Sequence, residues 1–559
     1  MLFGSLNFNP PNAKLRPELS VEGPMSVCEL DPAGNILAWD GRLDNGRELR
    51  RQHGLPQASD AAIALSIVQR GPITTFGEFI GDWSAVSWDE ARSSLVLASD
   101  YIGVRPLYYC YQQERLTWSS SLAQLQASVP ACDIDEDYAA EFLERGGSWN
   151  RTPYRGIRVV PPGHAVCVTR AGIEIHAFWK CDWDEIHFAQ EQDYAFRLRE
   201  LLEEAVAVRI QNAGDVYAEL SGGLDSSAVF CVAHRLMRDG RAKVGSLIPV
   251  HYDHPGSQDR RFHEILQSTL GVRSVCIGTE THPFIASDAA GFSAPEWWER
   301  RYTHMDRHTR GGAPRVFLTG RLGDLVMGNY LDDSEQVADL LRAFSPRRAF
   351  CQAMDWSRLL HLPVYGVLCR ALQSGLFGRE FPSRAPFTAP GWSHISPSRQ
   401  KHVRLLCDAI ASRTLQTPEP LQKFSYTHPF THRPLVEFMM RIPSNALCAP
   451  GEPRKLMRAA LKDLLPAAVL ARRSKASFEG VFRSALQPLA ACLLRRPGDI
   501  RLVSRGWMDG KSLTCRLERF LHGLDCNEGQ LRHAILFEFW MRNFERRQSL
   551  GTGQSALAV

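Results

Sequence analysis

Between residues 216 and 240 the chain places a strand, a glycine turn and a helix in direct succession, and that order constrains everything built around it. Val216-Tyr217-Ala218-Glu219-Leu220 reads as a buried strand; Val229, Val232, Ala233 and Leu236 then recur at helical spacing until Gly240 supplies a stop. The turn between them is Ser221-Gly222-Gly223-Leu224-Asp225-Ser226-Ser227. It sits at a helix N-terminus, where unpaired backbone N–H groups and the helix dipole attract anions. Gly222 and Gly223 let the backbone approach a phosphate, and the hydroxyls of Ser221, Ser226 and Ser227 add donors. Asp225 is a poor phosphate ligand but a good magnesium ligand. A lone Gly-Gly pair would mean no more than a serine-capped turn; the whole heptad between strand and helix suits a triphosphate with its bridging metal.

The Gly-Lys-Ser/Thr ending of the Walker-type loop is missing. The heptad instead resembles the pyrophosphate-binding loop of ATP pyrophosphatases, whose members adenylate a carboxylate and release pyrophosphate. At 559 residues the chain exceeds a single core, so two or three domains are expected. A net charge of +4 from nearly balanced signs gives no argument for nucleic acid. The 14 cysteines show neither Cys-x-x-Cys nor zinc spacing, which reads as reduced thiols in a cytoplasmic protein. No signal peptide and no apolar run of bilayer length is evident, so no membrane partner is expected.

Two textures divide the chain. Up to about residue 180, Trp83 to Trp88, Leu95 to Ser99, Leu107 to Tyr111 and Leu116 to Ser120 are short aromatic or β-branched runs between polar turns, as in an antiparallel sheet or sandwich. From about 195, strands alternate with helices: Val244 to Tyr252, Val272 to Ile277 and Val316 to Leu318 read as buried parallel strands, with Phe262 to Leu270 as a helix. Beyond 330 the pattern is mainly helical. Four prolines between Phe381 and Ser398 predict a loop there.

Ordered motifs then carry a resemblance over most of the length. Trp39-Asp40-Gly41-Arg42-Leu43-Asp44-Asn45, Asp100 to Tyr109, Ser119-Ser120-Ser121-Leu122 and Pro161-Pro162-Gly163-His164 occupy the first half. The second half has the Ser221 turn, Leu318-Thr319-Gly320-Arg321-Leu322-Gly323-Asp324, Gly328-Asn329-Tyr330, His428-Pro429-Phe430, Arg433 to Phe438 and Arg472-Arg473-Ser474-Lys475. The chain resembles the asparagine synthetase B-type family. That implies an α+β and α/β protein of two domains. Residues 1–190 would be a glutaminase-like antiparallel β-sandwich of the Ntn type. Residues 191–559 would be a synthetase domain with an adenine nucleotide α-hydrolase-like parallel sheet and a helical C-terminal part.

The resemblance also implies roles. Glutamine-dependent members use an N-terminal cysteine; here residue 2 is leucine and the first cysteine is Cys28, so the first domain is expected to be inactive. Asp225 and Asp324 would hold Mg2+ on the phosphates of ATP, although a turn or cap role explains an isolated aspartate as well. Leu220, Thr319 and Gly320 would border the nucleotide together with Ser221, Gly222, Gly223, Ser226 and Ser227. Asp259 is read equally as a helix N-cap or a ligand. Lys475 is the catalytic candidate, a fixed cation for the tetrahedral intermediate and departing phosphate, against the alternative of a surface lysine. Arg321 stands where asparagine synthetases carry Glu and β-lactam-forming relatives use a tyrosine; it cannot act as a base, and substrate contact or a structural ion pair are equal readings.

Without the N-terminal cysteine, with an aromatic segment from Ile535 to Phe544 and with loosened magnesium-loop motifs, the chain looks most like lasso peptide macrolactam synthetases. That resemblance implies a precursor core peptide as substrate, with a leader-binding protein and a leader protease as partners. Pro295-Glu296-Trp297-Trp298, Tyr302 and the loop around Trp392 are candidate cavity walls, although buried packing is the commoner fate of tryptophan. The alternatives are an ammonia-dependent asparagine or β-lactam synthetase, and a non-catalytic binding partner, to which Leu325 points by replacing an acidic residue common beside Asp324.

Overall fold

The computed structural model describes all residues except 10–13, 24, 131, 255–256, 279–293, 296–304, 306–314, 331, 378–391, 419–420, 422, 474–478 and 556–559. The first half forms two antiparallel sheets. One has five strands in the spatial order Glu18–Val21, Leu2–Asn7, Arg115–Ser119, Tyr108–Gln112 and Ile157–Val159. The other has six, in the order Gly172–Ala177, His164–Thr169, Ser94–Ser99, Gly81–Asp89, Ile36–Leu43 and Ser26–Leu30. Period-two alternation sends Leu6, Trp88, Leu97, Trp118 and Val166 into one shared core between the sheets, the expected sandwich. The outer face of the six-stranded sheet carries Trp39 and Trp83, stacked 5.2 Å apart, with Phe76, Phe79 and Phe178 around them. Those rings join one continuous core with the synthetase-side helix Glu191–Ile210.

The second half is built on a five-stranded parallel sheet. Its spatial order is Val275–Gly278, Val244–Asp253, Ala213–Glu219, Arg315–Leu318 and Ser425–Thr427. The chain starts in the middle, moves outward on one side, then returns to build the other side. The strands Ala213–Glu219 and Arg315–Leu318 therefore flank the topological switch point, where loops leaving their carboxyl ends diverge and open a crevice. The edge strand Ser425–Thr427 has no counterpart in the expected pattern: three residues are too short to show periodicity. Beyond residue 330 helices dominate, as expected. Residues 381–391 of the expected proline-rich loop lie outside the described residues, but its end is corrected. Pro397 opens the helix Pro397–Ala411 at the first turn, where its missing N–H costs nothing.

The domains meet through buried charge as well as apolar packing. The Arg42 guanidinium donates to Asp44 (2.9 Å) and Asp82 (2.8 Å), and Arg209 of the second half reaches the same two carboxylates at 3.2 and 3.4 Å. Thr427 Oγ donates to Asp82 at 2.6 Å and accepts from Arg209 Nε at 3.0 Å. Burial alone would raise the Asp44 pKa, but Arg209, Arg42 and His432 hold it well below the usual carboxylate range. Tyr101 OH donates to the Thr431 carbonyl (2.7 Å), and Trp179 Nε1 to Glu437 (2.9 Å). No helix among the described residues is long and apolar enough to cross a membrane.

Candidate active site

The glycine turn lies at the switch point. Ala213–Glu219 ends, Leu220 N–H donates to the Val250 carbonyl (2.8 Å), and the helix Leu224–Arg238 begins with Gly223 as its N-cap. Gly222 has φ +85°, and a Cβ there would stand 2.7 Å from the Asp259 carbonyl oxygen and 2.8 Å from His263 N. Only glycine fits both the left-handed backbone and that approach. The serines divide their duties. Ser221 Oγ and Ser226 Oγ are 2.8 Å apart; Ser221 Oγ accepts from Gly223 N–H and Ser226 Oγ from Ser221 N–H, so these two hydroxyls shape the loop. Ser227 Oγ is fully buried with no hydrogen-bond partner among the described residues. An orphaned hydroxyl in a helix's first turn fits a guest that brings acceptor oxygens.

The second loop closes on the first. A Cβ on Gly320 would lie 2.6 Å from Ser226 N, and one on Gly323 would lie 2.8 Å from the Asp225 side chain, so both glycines mark close loop-to-loop contact. Gly320 N–H donates to Glu219 (3.2 Å). Leu220 is fully buried and Thr319 nearly so. The Thr319 hydroxyl donates to His428 Nδ1 (2.6 Å) while His428 Nε2–H donates to the Leu415 carbonyl (2.8 Å). Burial lowers the His428 pKa to about 3, which keeps the ring neutral and this relay in one direction. Arg321 N–H donates to Thr319 Oγ (3.2 Å), and its guanidinium reaches the Thr414 carbonyl at 2.8 Å.

Asp225 and Asp324, the expected metal ligands, are brought together. A residue absent from the expected set stands between them. Arg454 Nη2 donates to Asp225 Oδ2 at 2.6 Å and also to Asp324 Oδ1, which in turn accepts from Asn329 Nδ2 (3.0 Å). Two carboxylates of separate loops reaching one nitrogen form an oxygen donor pair of the kind a hard divalent cation takes, with phosphate and water to complete the shell. Those two residues fit Mg2+. Nothing in the sequence marked Arg454, because its partners lie 229 and 130 positions away.

Arg472, which opens the Arg472-Arg473-Ser474-Lys475 motif without an assigned role, is a second arginine at the cradle. It donates to the Gly222 carbonyl (3.0 Å) and to Asp259 (2.5 Å), and its guanidinium lies 4.4 Å over the Phe262 ring. Asp259 is thus an ion-pair partner; the helix Asp259–Leu270 takes Gln258 as its N-cap, without a side-chain bond. Arg458 donates to the carbonyls of Leu470 and Arg472, which pins the segment leading into residue 474. Lys475, with Glu296, Trp297, Trp298 and Tyr302, lies outside the described residues. Pro295 is buried, and Trp392 is a core residue at 9% exposure rather than an open cavity wall.

A parallel sheet with a phosphate-shaped turn at its switch point, joined to an antiparallel sandwich, defines a two-domain α/β protein with a nucleotide-type crevice. The asparagine synthase family model matches residues 197–542, and a glutamine amidotransferase domain model matches residues 22–179. The chain belongs to the asparagine synthase family. It is 30% identical over 250 residues to an amidase, chry2, of Gibberella zeae, covering 40% of this chain and 36% of that protein. It is 27% identical over 219 residues to asparagine synthetase [glutamine-hydrolyzing] 3 of Bacillus subtilis, covering 37% and 35%. To asparagine synthetase B [glutamine-hydrolyzing] of Escherichia coli it is 22% identical over 326 residues, covering 53% and 52%. The matches thus span roughly a third to a half of these relatives.

Proposed function

We propose that the chain is an AMP-forming amide synthetase that closes a macrolactam within a peptide, the reaction of a lasso peptide cyclase. A side-chain carboxylate of Asp or Glu in the core peptide attacks the α-phosphorus of ATP, and pyrophosphate leaves. The peptide's own α-amine attacks the acyl carbon, AMP departs, and the amine proton passes to solvent. An α-amine has a pKa near 8, so an appreciable neutral fraction exists at neutral pH without a dedicated base. Tethering both reactants in one folded chain supplies a large effective molarity. A leader-binding protein and a leader protease would deliver the core peptide.

The chain's own residues have defined tasks in this scheme. Backbone N–H groups of the turn and Ser227 Oγ receive phosphate oxygens, and Gly222 and Gly320 permit the close approach. Asp225 and Asp324 would hold Mg2+, which neutralises phosphate charge when bound. Lys475 would steady the departing phosphate. Leu220, Thr319 and Gly320 would bound the adenosine.

One observation carries the reading: a well-formed cradle in which Gly222, Gly320 and the buried Ser227 hydroxyl leave a close approach for phosphate oxygens. Burial raises the pKa of Cys28, Cys110, Cys132, Cys167 and Cys181, to about 11 at Cys110 and about 12 at Cys181. Leu2 is fully buried within its strand. The raised thiol pKa values disfavour an activated thiolate at those five positions, which supports a reading in which the nitrogen is supplied by the substrate rather than by glutamine. Incubation with ATP, Mg2+ and a candidate core peptide is expected to give AMP, pyrophosphate and a peptide lighter by one water. ADP in place of AMP would overturn the scheme. The names of the Bacillus and Escherichia relatives favour a second reading, asparagine formation, for which ammonia would be the nitrogen source if the first domain does not hydrolyse glutamine. ATP-dependent asparagine production from aspartate and ammonium would select it.

A further inference from the structure

We propose that Arg454 is a built-in cation that occupies the metal-binding carboxylates until the triphosphate arrives, so that metal and nucleotide bind as one coupled event. This rests on reading the cradle as a metal–triphosphate site, and it adds a residue and an order of binding to that reading.

Arg454 is placed with unusual firmness for an arginine. It is only 5% exposed, and its backbone adopts φ +55°, the left-handed region that non-glycine residues enter at a cost. Its N–H donates to the Gly328 carbonyl at 3.0 Å, on the same loop that carries Asp324 and Asn329. The helix Lys455–Ala460 follows at once and is anchored by the buried Leu456 and Met457. Backbone and helix together aim the guanidinium at the cradle, where one nitrogen serves Asp225 and Asp324 simultaneously. The Nε–H of the same guanidinium is buried and has no hydrogen-bond partner among the described residues. A strained, buried arginine with a donor left over beside a phosphate-shaped turn has one natural complement, an anionic oxygen.

The consequence is competition. A guanidinium bridging two carboxylate oxygens and a divalent ion bridging the same two cannot both be accommodated there. A free metal ion must break a buried, charge-assisted pairing and leave the arginine's charge uncompensated, which opposes its entry. A metal ion arriving with a triphosphate meets no such penalty. The displaced guanidinium can turn its donors, including the orphaned Nε–H, onto phosphate oxygens. Nucleotide and metal then strengthen each other's binding, and by linkage the factor is the same in both directions.

The test is Mn2+ binding to the full chain, read from the free-ion electron paramagnetic resonance signal, with and without a non-hydrolysable ATP analogue. Wild-type protein is expected to take up Mn2+ weakly alone and about tenfold or more tightly with the analogue, within the usual range of coupling. Arg454→Gln is expected to bind Mn2+ about tenfold more tightly than wild type without nucleotide, and to lose most of the coupling. Arg454→Lys retains the charge without the planar fork and gives an intermediate gain, which keeps the test decisive if the Gln variant does not fold. Equal Mn2+ affinities for wild type and variants without nucleotide, alongside normal uptake with the analogue, would overturn this inference alone. Failure of every protein to take up Mn2+ with the analogue would remove the cradle reading and this inference together.

Discussion

At positions 226 and 227 two hydroxyls one residue apart have different surroundings. Ser226 Oγ is consumed inside the turn, whereas Ser227 Oγ is buried without a partner among the described residues. Ser227→Ala removes an unsatisfied polar atom, so the variant is expected to unfold within about 1 kcal/mol of wild type while its affinity for an ATP analogue falls roughly 5- to 10-fold, the worth of one hydrogen bond. Calorimetric titration beside a denaturation curve separates the two effects. Gly222→Ala should behave oppositely. Its Cβ would collide with the Asp259 carbonyl and His263 N in a left-handed backbone, so a loss of about 1–3 kcal/mol in denaturant unfolding is expected even without nucleotide. The glycines and serines of the turn were legible in sequence because their chemistry is local. Arg454 was not, and Arg472 was visible only as a motif residue without a role, since an arginine's role depends on which distant carboxylate or carbonyl the fold brings to it.

Among the elements, the C-terminal helix Glu528–Ser555 has a role that the sequence did not assign. The aromatic segment from Ile535 to Phe544 helped to carry the resemblance to peptide cyclases. Phe537, Trp540 and Phe544 pack on Tyr138, Phe142 and Tyr154 of the sandwich domain, with centroids 5.4 Å apart for Phe142–Phe537 and 5.8 Å for Tyr154–Phe544. The segment fastens one domain to the other. Phe537→Ala is expected to cost about 3–5 kcal/mol and to expose the last helix to limited proteolysis before the parallel sheet is attacked. The strand Ser425–Thr427 is the complementary case, three residues that sequence periodicity could not reveal. Its placement at the sheet edge puts Thr427 on the domain interface and His428 behind Thr319. Arg472 ties the turn to the helix Asp259–Leu270, and Arg472→Met would strand Asp259 in a buried position. A loss of about 3–5 kcal/mol is the expected outcome, measurable by urea unfolding.

Across the whole molecule, the interface between sandwich and synthetase domain is a mesh of ionised groups. His432 Nδ1 lies 3.0 Å from Asp44 and its Nε2 lies 3.8 Å from Glu204. Burial would lower its pKa, but the two carboxylates outweigh burial, and even with the opposing charge of Arg209 the pKa stands above the ordinary imidazole value. Its stabilising contribution is therefore fully present below the unfolded-state pKa near 6.5 and is lost as pH rises through the folded value. Melting temperature should fall as pH is raised across that window, and His432→Gln should flatten that part of the profile. An unchanged slope in the variant would assign the dependence to another group. Because Thr427 both joins Asp82 and accepts from Thr319 N–H through its carbonyl, loosening of this interface should also be felt at the nucleotide crevice.

The order of local patterns along the chain was enough to determine two domains, an antiparallel sandwich followed by a parallel sheet, and the turn that sits at the centre of that sheet. Strand alternation, helical spacing and glycine chemistry act over a few residues, and a linear sequence displays them directly. Which cations face the cradle, which hydroxyl is left over, and how the domains share their charge were decided only by the fold. Those properties arise from groups separated by a hundred positions or more, made neighbours by burial, and burial sets both the strength of their interactions and the cost of leaving them unpaired.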